Sequence, residues 1–440
     1  MIKVITYGTY DLLHYGHINL LKRAKALGDY LIVGVTADDF DKKRGKINVQ
    51  QSLMERIDAV RKTGIADEII VEEYEGQKID DIRKYNVDIF TVGSDWEGYF
   101  DFLEEYCKVI YLPRTEGISS SEIRGQNRTI KLGIIGQSLF VNKIRKESCF
   151  VNGIKVTALF TKKIPEKDSG KDLKIITDNY DEFLKYVDAV YVRSKPSQHY
   201  DHIKKAIEAG KHVLCESPLT TNKELSRSLI NFANEKNLII MEAVKTAYST
   251  AYSRLLLLLK EGKIGDIISV DATCTSIRKH NDRDNAEWNC IHEWGPTALL
   301  PVLQILGTEY KTMQIVSHFD KSGIDTFTKI DFVFDTAVSS IKIGDGVKSE
   351  GELLVSGTYG YIYVPAPWWL TDYFEIRYED QTKNKRYFYQ LDGEGIRAEL
   401  LSFARAIERG TLIRNIDEAV TCAISDIMDK YDKRINFCYI

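Results

Sequence analysis

Apolar runs alternate with helical apolar–polar patterns along the first 124 residues of the chain. The runs predict strands at about 3–7, 30–35, 68–72, 87–92 and 108–112, with helices in the intervals. This alternation predicts an α/β fold, a small parallel sheet with helices on both faces. Ligands bind to such sheets at the carboxyl ends of the strands, so we expect the functional residues there.

A second alternating series begins after the polar segment 125–129. Strands are predicted at 130–136, 155–160, 188–192 and 211–214, and helices at 198–209 and 221–236. The pattern is typical of a second doubly wound sheet.

The pattern changes between about 266 and 390, where long β runs are separated by turns. The runs Ile267–Thr275, Phe332–Val338 and Phe374–Tyr378 predict strands, and the flanking patterns predict helices at 296–306, 394–408 and 415–430. We expect an α+β domain with a large, mostly antiparallel sheet. The predicted domains are therefore 1–125, 130–245 and 246–440.

Composition narrows the class of protein. A chain of 440 residues is too long for one ordinary core, and its net charge of −4 gives no reason to expect a nucleic-acid partner. The seven cysteines are scattered without metal-ligand spacing, which predicts reduced thiols and a cytoplasmic location. We expect no signal peptide, because a strand starts at once, and no membrane segment, because the apolar run 255–259 is too short.

The candidate chemistry lies where the first strand meets a helix predicted from Ile18 to Leu27. His14 and His17 stand there in the run Gly-Thr-Tyr-Asp-Leu-Leu-His-Tyr-Gly-His, which begins at Gly8. Backbone N–H groups and the helix dipole form a seat for phosphate at such a junction. Gly8 and Gly16 allow a ligand to approach the backbone closely. Two imidazoles three positions apart can donate hydrogen bonds to charge that develops on a phosphoryl group.

This run resembles the signature of glycerol-3-phosphate cytidylyltransferases, within the wider nucleotidyltransferase superfamily. The resemblance covers 1–125 and returns in Gly93–Gly98 and Pro113–Arg124. It implies that an acceptor phosphate attacks the α-phosphorus of CTP in line while pyrophosphate leaves. The implied catalytic residues are His14, His17, Lys46 and Arg114, and the implied substrate contacts are Thr9, Tyr10, Asp11, Gly16, Arg56, Asp95, Trp96, Thr115, Ser119 and Ser120. Mg²⁺ would bridge the phosphates, held mostly by substrate oxygens and water.

Several points of this first assignment stay open. Lys43 or Arg44 could replace Lys46, and Arg56 could instead be a surface arginine on an amphipathic helix. Gly64 stands where relatives carry a second functional arginine, for which the neighbouring Arg61 and Lys62 are possible substitutes. The acceptor is therefore glycerol 3-phosphate or a longer alditol or ketose phosphate, and Asp95 and Trp96 could face either the acceptor or the nucleoside.

Residues 130–440 carry a second set of motifs, Ala189–Val192, His199–Leu219, Leu258–Gly265 and Gly357–Pro365. They resemble the Gfo/Idh/MocA oxidoreductases, in which a sheet face forms a subunit interface, so the resemblance implies a homo-oligomer. The residues implied at the cofactor site are Gly136, Ser138, Thr161, Lys162, Lys163, Glu216 and Lys245. Lysines after the second strand suit a ribose 2′-phosphate and favour NADP(H) over NAD(H), although an exposed basic turn would have the same pattern.

The second resemblance has departures at its catalytic positions. Only the first glycine of the dinucleotide fingerprint survives, and Ser138 adds a side chain where a pyrophosphate would approach. Ser217 replaces the lysine of the family's Glu-Lys-Pro motif, and the histidine of its second motif falls near Thr297. Two interpretations stay open. One is a reductase whose proton donor is rearranged, with Lys245, His280, His292 and Glu293 as nearby candidates; the other is a catalytically dead scaffold for oligomerisation or ligand binding.

The sequence thus predicts a bifunctional enzyme that forms a CDP-polyol and also reduces a related ketose phosphate or CDP-linked sugar with NADP(H). By resemblance, such CDP-polyols supply teichoic-acid-like or capsular polymers. A nucleotide-binding regulator is the competing class, and intact His14, His17 and Arg114 disfavour it. The aromatic cluster Trp368, Trp369 and Tyr373 is expected to be a packed edge rather than an interface.

Overall fold

The computed structural model describes residues 1–37, 49, 51–73, 76–113, 129–136, 139–151, 153–162, 173–277, 289–389, 391–410 and 415–440. These residues divide into two compact units, Met1–Thr129 and Ile130–Ile440. None of the helices within the described ranges is both long enough and apolar enough to cross a bilayer.

The described residues of the first unit form a parallel sheet of five strands in the order β3-β2-β1-β4-β5. Its elements are β1 (Lys3–Gly8), α1 (Tyr15–Lys25), β2 (Tyr30–Thr36), α2 (Leu53–Lys62), β3 (Glu68–Glu72), α3 (Gln77–Tyr85), β4 (Ile89–Gly93) and β5 (Lys108–Leu112), with 3₁₀ turns at Ser94–Trp96 and Asp101–Glu105. β1 is central, and its residues Val4 and Ile5 are fully buried on opposite faces. The five predicted strands and the α/β fold are confirmed.

Helix α1 begins earlier than the apolar spacing predicted. His14 is its N-cap residue, with extended backbone, and the helix starts at Tyr15 instead of Ile18. The apolar pattern begins only at Ile18, so it could not report the first turn. His17 consequently lies inside the first turn of the helix.

The described part of the second unit contains a parallel six-stranded sheet in the order β11-β10-β9-β6-β7-β8. Its elements are β6 (Ile130–Ile135), α4 (Leu139–Ser148), β7 (Ile154–Phe160), β8 (Ile175–Thr177), α5 (Tyr180–Leu184), β9 (Ala189–Val192), α6 (Pro196–Glu208), β10 (His212–Glu216), α7 (Lys223–Glu235) and β11 (Ile240–Ala243). The strand order reverses between β6 and β9. The carboxyl ends of these two strands therefore frame the crevice in which doubly wound sheets bind their ligands.

A nine-stranded sheet follows among the described residues, in the order β19-β18-β17-β16-β12-β15-β14-β13-β20. Its strands are β12 (Ile267–Ser276), β13 (Thr312–Phe319), β14 (Asp325–Val333), β15 (Val338–Asp345), β16 (Leu353–Gly357), β17 (Gly360–Val364), β18 (Tyr373–Tyr378), β19 (Lys385–Phe388) and β20 (Phe437–Tyr439). The helices are α8 (Thr250–Lys260), α9 (Cys290–Leu306), α10 (Ile396–Arg409) and α11 (Glu418–Asp432), with 3₁₀ turns at Lys245–Tyr248, Trp368–Leu370, Gln381–Lys383 and Asp392–Gly395. The pairs β12–β15 and β13–β20 are parallel and the others antiparallel, as the fold prediction requires.

The single strand predicted at Phe332–Val338 is wrong. β14 ends at Val333 and β15 begins at Val338, and Phe334 N donates to Ala337 O across the turn at 2.8 Å. Phe334 and Ala337 are both buried, so the apolar run continues through the turn. The hydrophobic pattern therefore does not indicate that the strand is interrupted.

The tryptophan cluster packs internally, as expected. Trp368 is fully buried, and its Nε1 donates to Thr273 O at 3.1 Å. Trp369 meets Trp294 edge to face, with ring centroids 5.0 Å apart.

Candidate functional site

The two histidines lie together at the N-terminus of α1. His14 Nδ1 accepts a hydrogen bond from Gly16 N at 3.1 Å, so the neutral ring carries its proton on Nε2. The His14 and His17 rings stack with centroids 3.9 Å apart and an interplanar angle of 26°. The arrangement presents a fixed imidazole donor beside a second ring, at the electropositive end of a helix.

The side chain of Tyr10 packs against the histidine pair. Its side chain is buried, and its ring meets the His17 ring edge to face with centroids 5.6 Å apart. Its ring carbons lie 3.0–3.3 Å from the position that a Cβ at Gly8 would occupy, so any larger residue there would press on the Tyr10 ring. Burial raises the pKa of Tyr10, so its phenol stays neutral.

The loop before α1 is tied to the segment before α2. The buried Asp11 accepts from Gln51 N at 2.9 Å, and Gln51 Oε1 accepts in return from Leu12 N at 2.8 Å. Leu12 and Tyr10 both have φ near +50°, in the left-handed region, so these contacts hold a strained turn in place.

Arg56 is buried, which excludes the surface alternative. Its Nη1 donates to Thr9 O at 2.7 Å and to Thr36 O at 2.8 Å, and its Nε donates to Gln51 O at 3.2 Å. The guanidinium thus joins the loop after β1 to the end of β2. Gly64, in the turn after α2, has φ +66°, and the neighbouring Arg61 is exposed and paired with Asp58.

The other predicted residues of this site are described only in part. Trp96 follows β4, and its ring packs against Tyr99 and Phe100 at centroid distances of 5.4 and 5.9 Å. Six of the predicted site residues lie outside the described residues, Asp95 by its side chain alone: Lys46, Asp95, Arg114, Thr115, Ser119 and Ser120.

Sequence reasoning missed a buried polar cluster at the carboxyl ends of β1 to β3. Lys78 on α3 pairs with Glu72, which also accepts from Thr36 Oγ1 at 2.9 Å. Tyr7 Oη donates to Asp81 Oδ2 at 2.9 Å. The available signal was the polar residues at positions of α3 that turn out to face the sheet, Gln77, Lys78 and Asp81.

The crevice of the second unit keeps one feature of a dinucleotide site. Gly136 follows β6 with φ +152°, and a Cβ there would lie 3.0 Å from Arg193 O. Thr161 is buried after β7, and the next residue, Lys162, is exposed. These residues fit a dinucleotide, since a glycine that no side chain could replace follows the first strand and a cation follows the second. Ser138 and Lys163 lie outside the described residues.

Ser217 does not present its hydroxyl to that crevice. It donates to Glu242, a buried carboxylate that also accepts from Leu219 N at 3.1 Å and from Thr421 Oγ1 at 2.7 Å. Burial raises the pKa of Glu242. Ser217, at the position of the lysine in the Glu-Lys-Pro motif, therefore donates to a buried carboxyl group and offers no acid to a substrate.

Two cations lie over Phe140 at the mouth of the crevice. Lys245 Nζ is 5.1 Å from the ring centroid and the Arg193 guanidinium carbon is 4.8 Å from it. Lys245 Nζ also lies 3.9 Å from Glu394, and Arg193 Nη1 lies 3.8 Å from Glu216 Oε2.

Of the remaining proton-donor candidates, the structure describes His292 and Glu293. His292 is buried on α9, with Nε2 3.4 Å from Asp432 on α11, and Glu293 follows it in the first turn of the helix. His280 lies outside the described residues. In the described part of the chain, no group of three or more His, Cys, Asp or Glu side chains is placed to hold a metal ion.

Comparison with known proteins identifies the first unit. A model of the cytidylyltransferase-like family matches residues 5–126. Glycerol-3-phosphate cytidylyltransferase of Bacillus spizizenii is 52% identical over 129 residues, which are 28% of this chain and 95% of that protein. The enzyme of the same name from Bacillus subtilis is 51% identical over 124 residues, 28% of this chain and 95% of that protein. The chain therefore belongs to the cytidylyltransferase-like family, and the prediction of a nucleotidyltransferase is confirmed.

The second unit matches a different family. A model of an oxidoreductase family with an NAD-binding Rossmann fold matches residues 130–244. A dTDP-3,4-didehydro-2,6-dideoxy-α-D-glucose 3-reductase of Streptomyces violaceoruber is 28% identical over 155 residues, 34% of this chain and 45% of that protein. A 3-ketoreductase from Actinomadura kijaniata, solved with NADP and TDP-benzene, has a TM-score of 0.63 at 19% identity, covering 71% of this chain and all of that one. Residues 130–440 thus have an oxidoreductase fold.

Proposed function

We propose that the first unit transfers the cytidylyl group of CTP to the phosphate of a polyol phosphate, and that pyrophosphate leaves. The observation that carries this proposal is the stacked His14–His17 pair at the N-terminus of α1. Two imidazoles at an electropositive helix end suit a pentavalent phosphorus on which negative charge develops.

The local hydrogen bonds support a division of roles. His14 Nδ1 is occupied by Gly16 N, so Nε2–H is the ring's donor toward the α-phosphate. His17 is held by the ring of Tyr10, and Arg56 holds the carbonyl of Thr9. Such positioning lowers the barrier because the donors need no rearrangement during the reaction. Lys46 and Arg114 would hold the triphosphate, and Mg²⁺ would arrive with CTP and neutralise its phosphates.

Glycerol 3-phosphate is the first candidate for the acceptor, because the relatives that match this unit along nearly their whole length carry it in their names. Gly64, where relatives carry a second functional arginine, is the departure that leaves the identity of the acceptor open. Arg61 is a weak replacement, since it is exposed and already paired with Asp58.

Release of pyrophosphate from CTP across a panel of polyol phosphates tests this proposal. We expect turnover with glycerol 3-phosphate or a longer alditol phosphate, and none without an acceptor. Absence of turnover with every acceptor, at saturating CTP and Mg²⁺, would leave a nucleotide-binding regulator instead.

We propose further that the second unit is an NADP(H)-dependent reductase of a ketose phosphate or a nucleotide-linked sugar. Gly136 at the end of β6 and the exposed Lys162 after β7 support the cofactor site. A bound reduced nicotinamide would supply the hydride. The inward hydrogen bond of Ser217 favours the competing scaffold, unless another residue donates the proton.

Titration of the full chain with NADPH and NADH, followed by nicotinamide fluorescence, separates the two interpretations. We expect NADPH to bind more tightly, and Lys162→Glu to weaken NADPH at least tenfold more than NADH. Lys155→Glu, at an exposed position of β7, is the matched control. If NADPH does not bind at millimolar concentration, the second unit is a scaffold.

A further inference from the structure

A buried phenol lies between two carboxyl groups at the carboxyl edge of the six-stranded sheet. Tyr191 is on β9, Glu216 ends β10, and Glu399 is in the first turn of α10. Tyr191 Oη lies 2.7 Å from Glu216 Oε1 and 3.1 Å from Glu399 Oε1. Both distances are those of hydrogen bonds.

The number of protons in this cluster follows from its geometry. A phenol has one hydrogen and can donate it to only one of the two carboxyl groups. The phenol oxygen then has no hydrogen left for the second carboxyl group. This second contact is a hydrogen bond only if the second carboxyl group is protonated and donates to the phenol oxygen. One of the two glutamates must therefore carry a proton and donate it to the phenol oxygen.

Burial distinguishes the two glutamates. Glu399 is fully buried, and its Oε2 has no hydrogen-bond partner among the described residues. The Glu216 side chain is 17% exposed, makes the shorter contact with Tyr191, and has Arg193 Nη1 3.8 Å from Oε2. An ionised carboxylate is costly where an oxygen is shielded from solvent and meets no donor among the described residues, so the proton belongs on Glu399.

The surrounding charges support the same assignment. Burial and the neighbouring Glu216 raise the pKa of Glu399 well above its usual value, and Lys245 on the adjacent 3₁₀ turn opposes them. Burial also raises the pKa of Tyr191, so the phenol in contact with Glu399 stays neutral. Burial likewise raises the pKa of Tyr248, and the charge of Glu399 acts in the same direction.

We propose that Glu399 stores a proton and passes it through Tyr191 to Glu216, which acts as the proton donor of the second unit. The last step rests on the proposed reductase function. Reduction of a ketone adds a hydride to carbon, here from a reduced nicotinamide, and a proton to oxygen. Glu216 Oε2 lies 3.8 Å from Nη1 of Arg193, one of the two cations at the mouth of the crevice. Glu216 is therefore placed to replace the acid that Ser217 does not offer.

The proton balance of this relay is simple. The O–H bond of Glu399 breaks as Tyr191 gains that proton, and Tyr191 gives its own hydrogen to Glu216. Glu216 then protonates the carbonyl oxygen, which completes the alcohol, and Glu399 remains ionised until solvent returns a proton. Glu399 and Tyr191 are therefore positioning residues, and Glu216 is the catalytic one.

Infrared spectroscopy of the full chain at pH 7 tests the stored proton without requiring activity. We expect a protonated-carboxyl band that Glu399→Gln removes from the spectrum and that Tyr191→Phe shifts. Glu408→Gln, at an exposed position of the same helix, should leave the band unchanged. If Glu399→Gln leaves the protonated-carboxyl region unchanged, the inference is wrong. Should that variant fail to fold, a Tyr191→Phe variant whose band does not shift would contradict the inference instead.

The catalytic step has a separate readout. In variants that still bind NADPH, we expect Tyr191→Phe and Glu399→Gln to lower ketone reduction at least tenfold and to alter its pH profile. If the rate of ketone reduction and its pH profile are unchanged, the proposed proton relay is wrong, even where the infrared band shows that Glu399 is protonated. If the band is present but NADPH does not bind, the proposed reductase function is wrong, whereas the inference that Glu399 is protonated still holds.

Discussion

At the scale of single residues, His14 combines a structural role with the catalytic role proposed above. Its Nδ1 caps α1 through Gly16 N, and the same hydrogen bond leaves Nε2–H as the donor. Asparagine is an efficient N-cap residue but cannot place a donor where the imidazole Nε2 lies. The two roles can therefore be separated by substitution.

We predict that His14→Asn lowers kcat for cytidylyl transfer about 10²–10³-fold, the usual cost of losing one transition-state donor. The melting temperature should stay within a few degrees of the parent, because the helix remains capped. Kinetics and thermal unfolding on the same preparation check both statements. Near-normal turnover would assign His14 to the cap alone.

Arg56 gives a second prediction at this scale. Arg56→Met leaves the buried carbonyl of Thr36 and the part-buried carbonyls of Thr9 and Gln51 without these donors, so we expect the free energy of unfolding to fall by about 2–4 kcal/mol. Arg61→Met, at an exposed position of the same helix, should change it by less than about 0.5 kcal/mol. Urea unfolding measures both, and equal effects would show that the buried contacts are not what stabilises the loop.

The residues of the candidate site were predictable where they are contiguous in sequence. The run from Gly8 to His17 carries its own turn, cap and imidazoles. Neither the burial of Arg56 nor the Tyr10 support beneath His17 could be predicted, because both depend on contacts between distant or left-handed segments. The Glu399–Tyr191 contact joins residues 208 positions apart and leaves no local signal.

At the scale of elements, His199 of α6 connects the end of β9 with the loop that carries Ser217. Its Nε2 lies 2.8 Å from Ser194 O and its Nδ1 2.9 Å from Pro218 O. Burial lowers the pKa of His199 to about 4, although these two carbonyls act in the opposite direction. The folded chain therefore prefers the neutral ring.

This preference makes the stability of the second unit depend on pH. In the unfolded chain His199 gains a proton as the pH falls through about 6.5, whereas the folded chain resists it until about 4. We predict that the free energy of unfolding is highest above pH 6.5 and falls by about 2 kcal/mol between pH 7 and 5. Denaturant unfolding at both pH values, compared with His199→Gln, measures this contribution. A variant with the same pH dependence as the parent would exclude His199 as its source.

Strands were predicted more accurately than the ends of helices. Parallel strands buried on both faces appear as continuous apolar runs, as in β1 and β9. Turns and caps depend on a few side chains, which the apolar pattern does not indicate. Helix α9, predicted from 296, therefore starts earlier, at Cys290, where Asn289 is the N-cap residue. The hairpin between β14 and β15 was missed because its own residues are buried.

At the scale of the whole molecule, the chain joins a cytidylyltransferase unit to a unit with an oxidoreductase fold. Each unit has its own buried core in the described residues. A reductase that makes an alditol phosphate would supply the acceptor of the first unit, or would act on its CDP-linked product. The homo-oligomer and the requirement of cytidylyl transfer for Mg²⁺ stay predictions.

The most direct measurement is the rate of pyrophosphate release from CTP by the full chain with its best polyol phosphate, compared between the parent and His17→Ala. We predict that kcat falls at least about 10²-fold in the variant while the chain stays folded. A variant that turns over at nearly the parent rate would contradict the claim that the paired imidazoles stabilise the phosphorus during transfer.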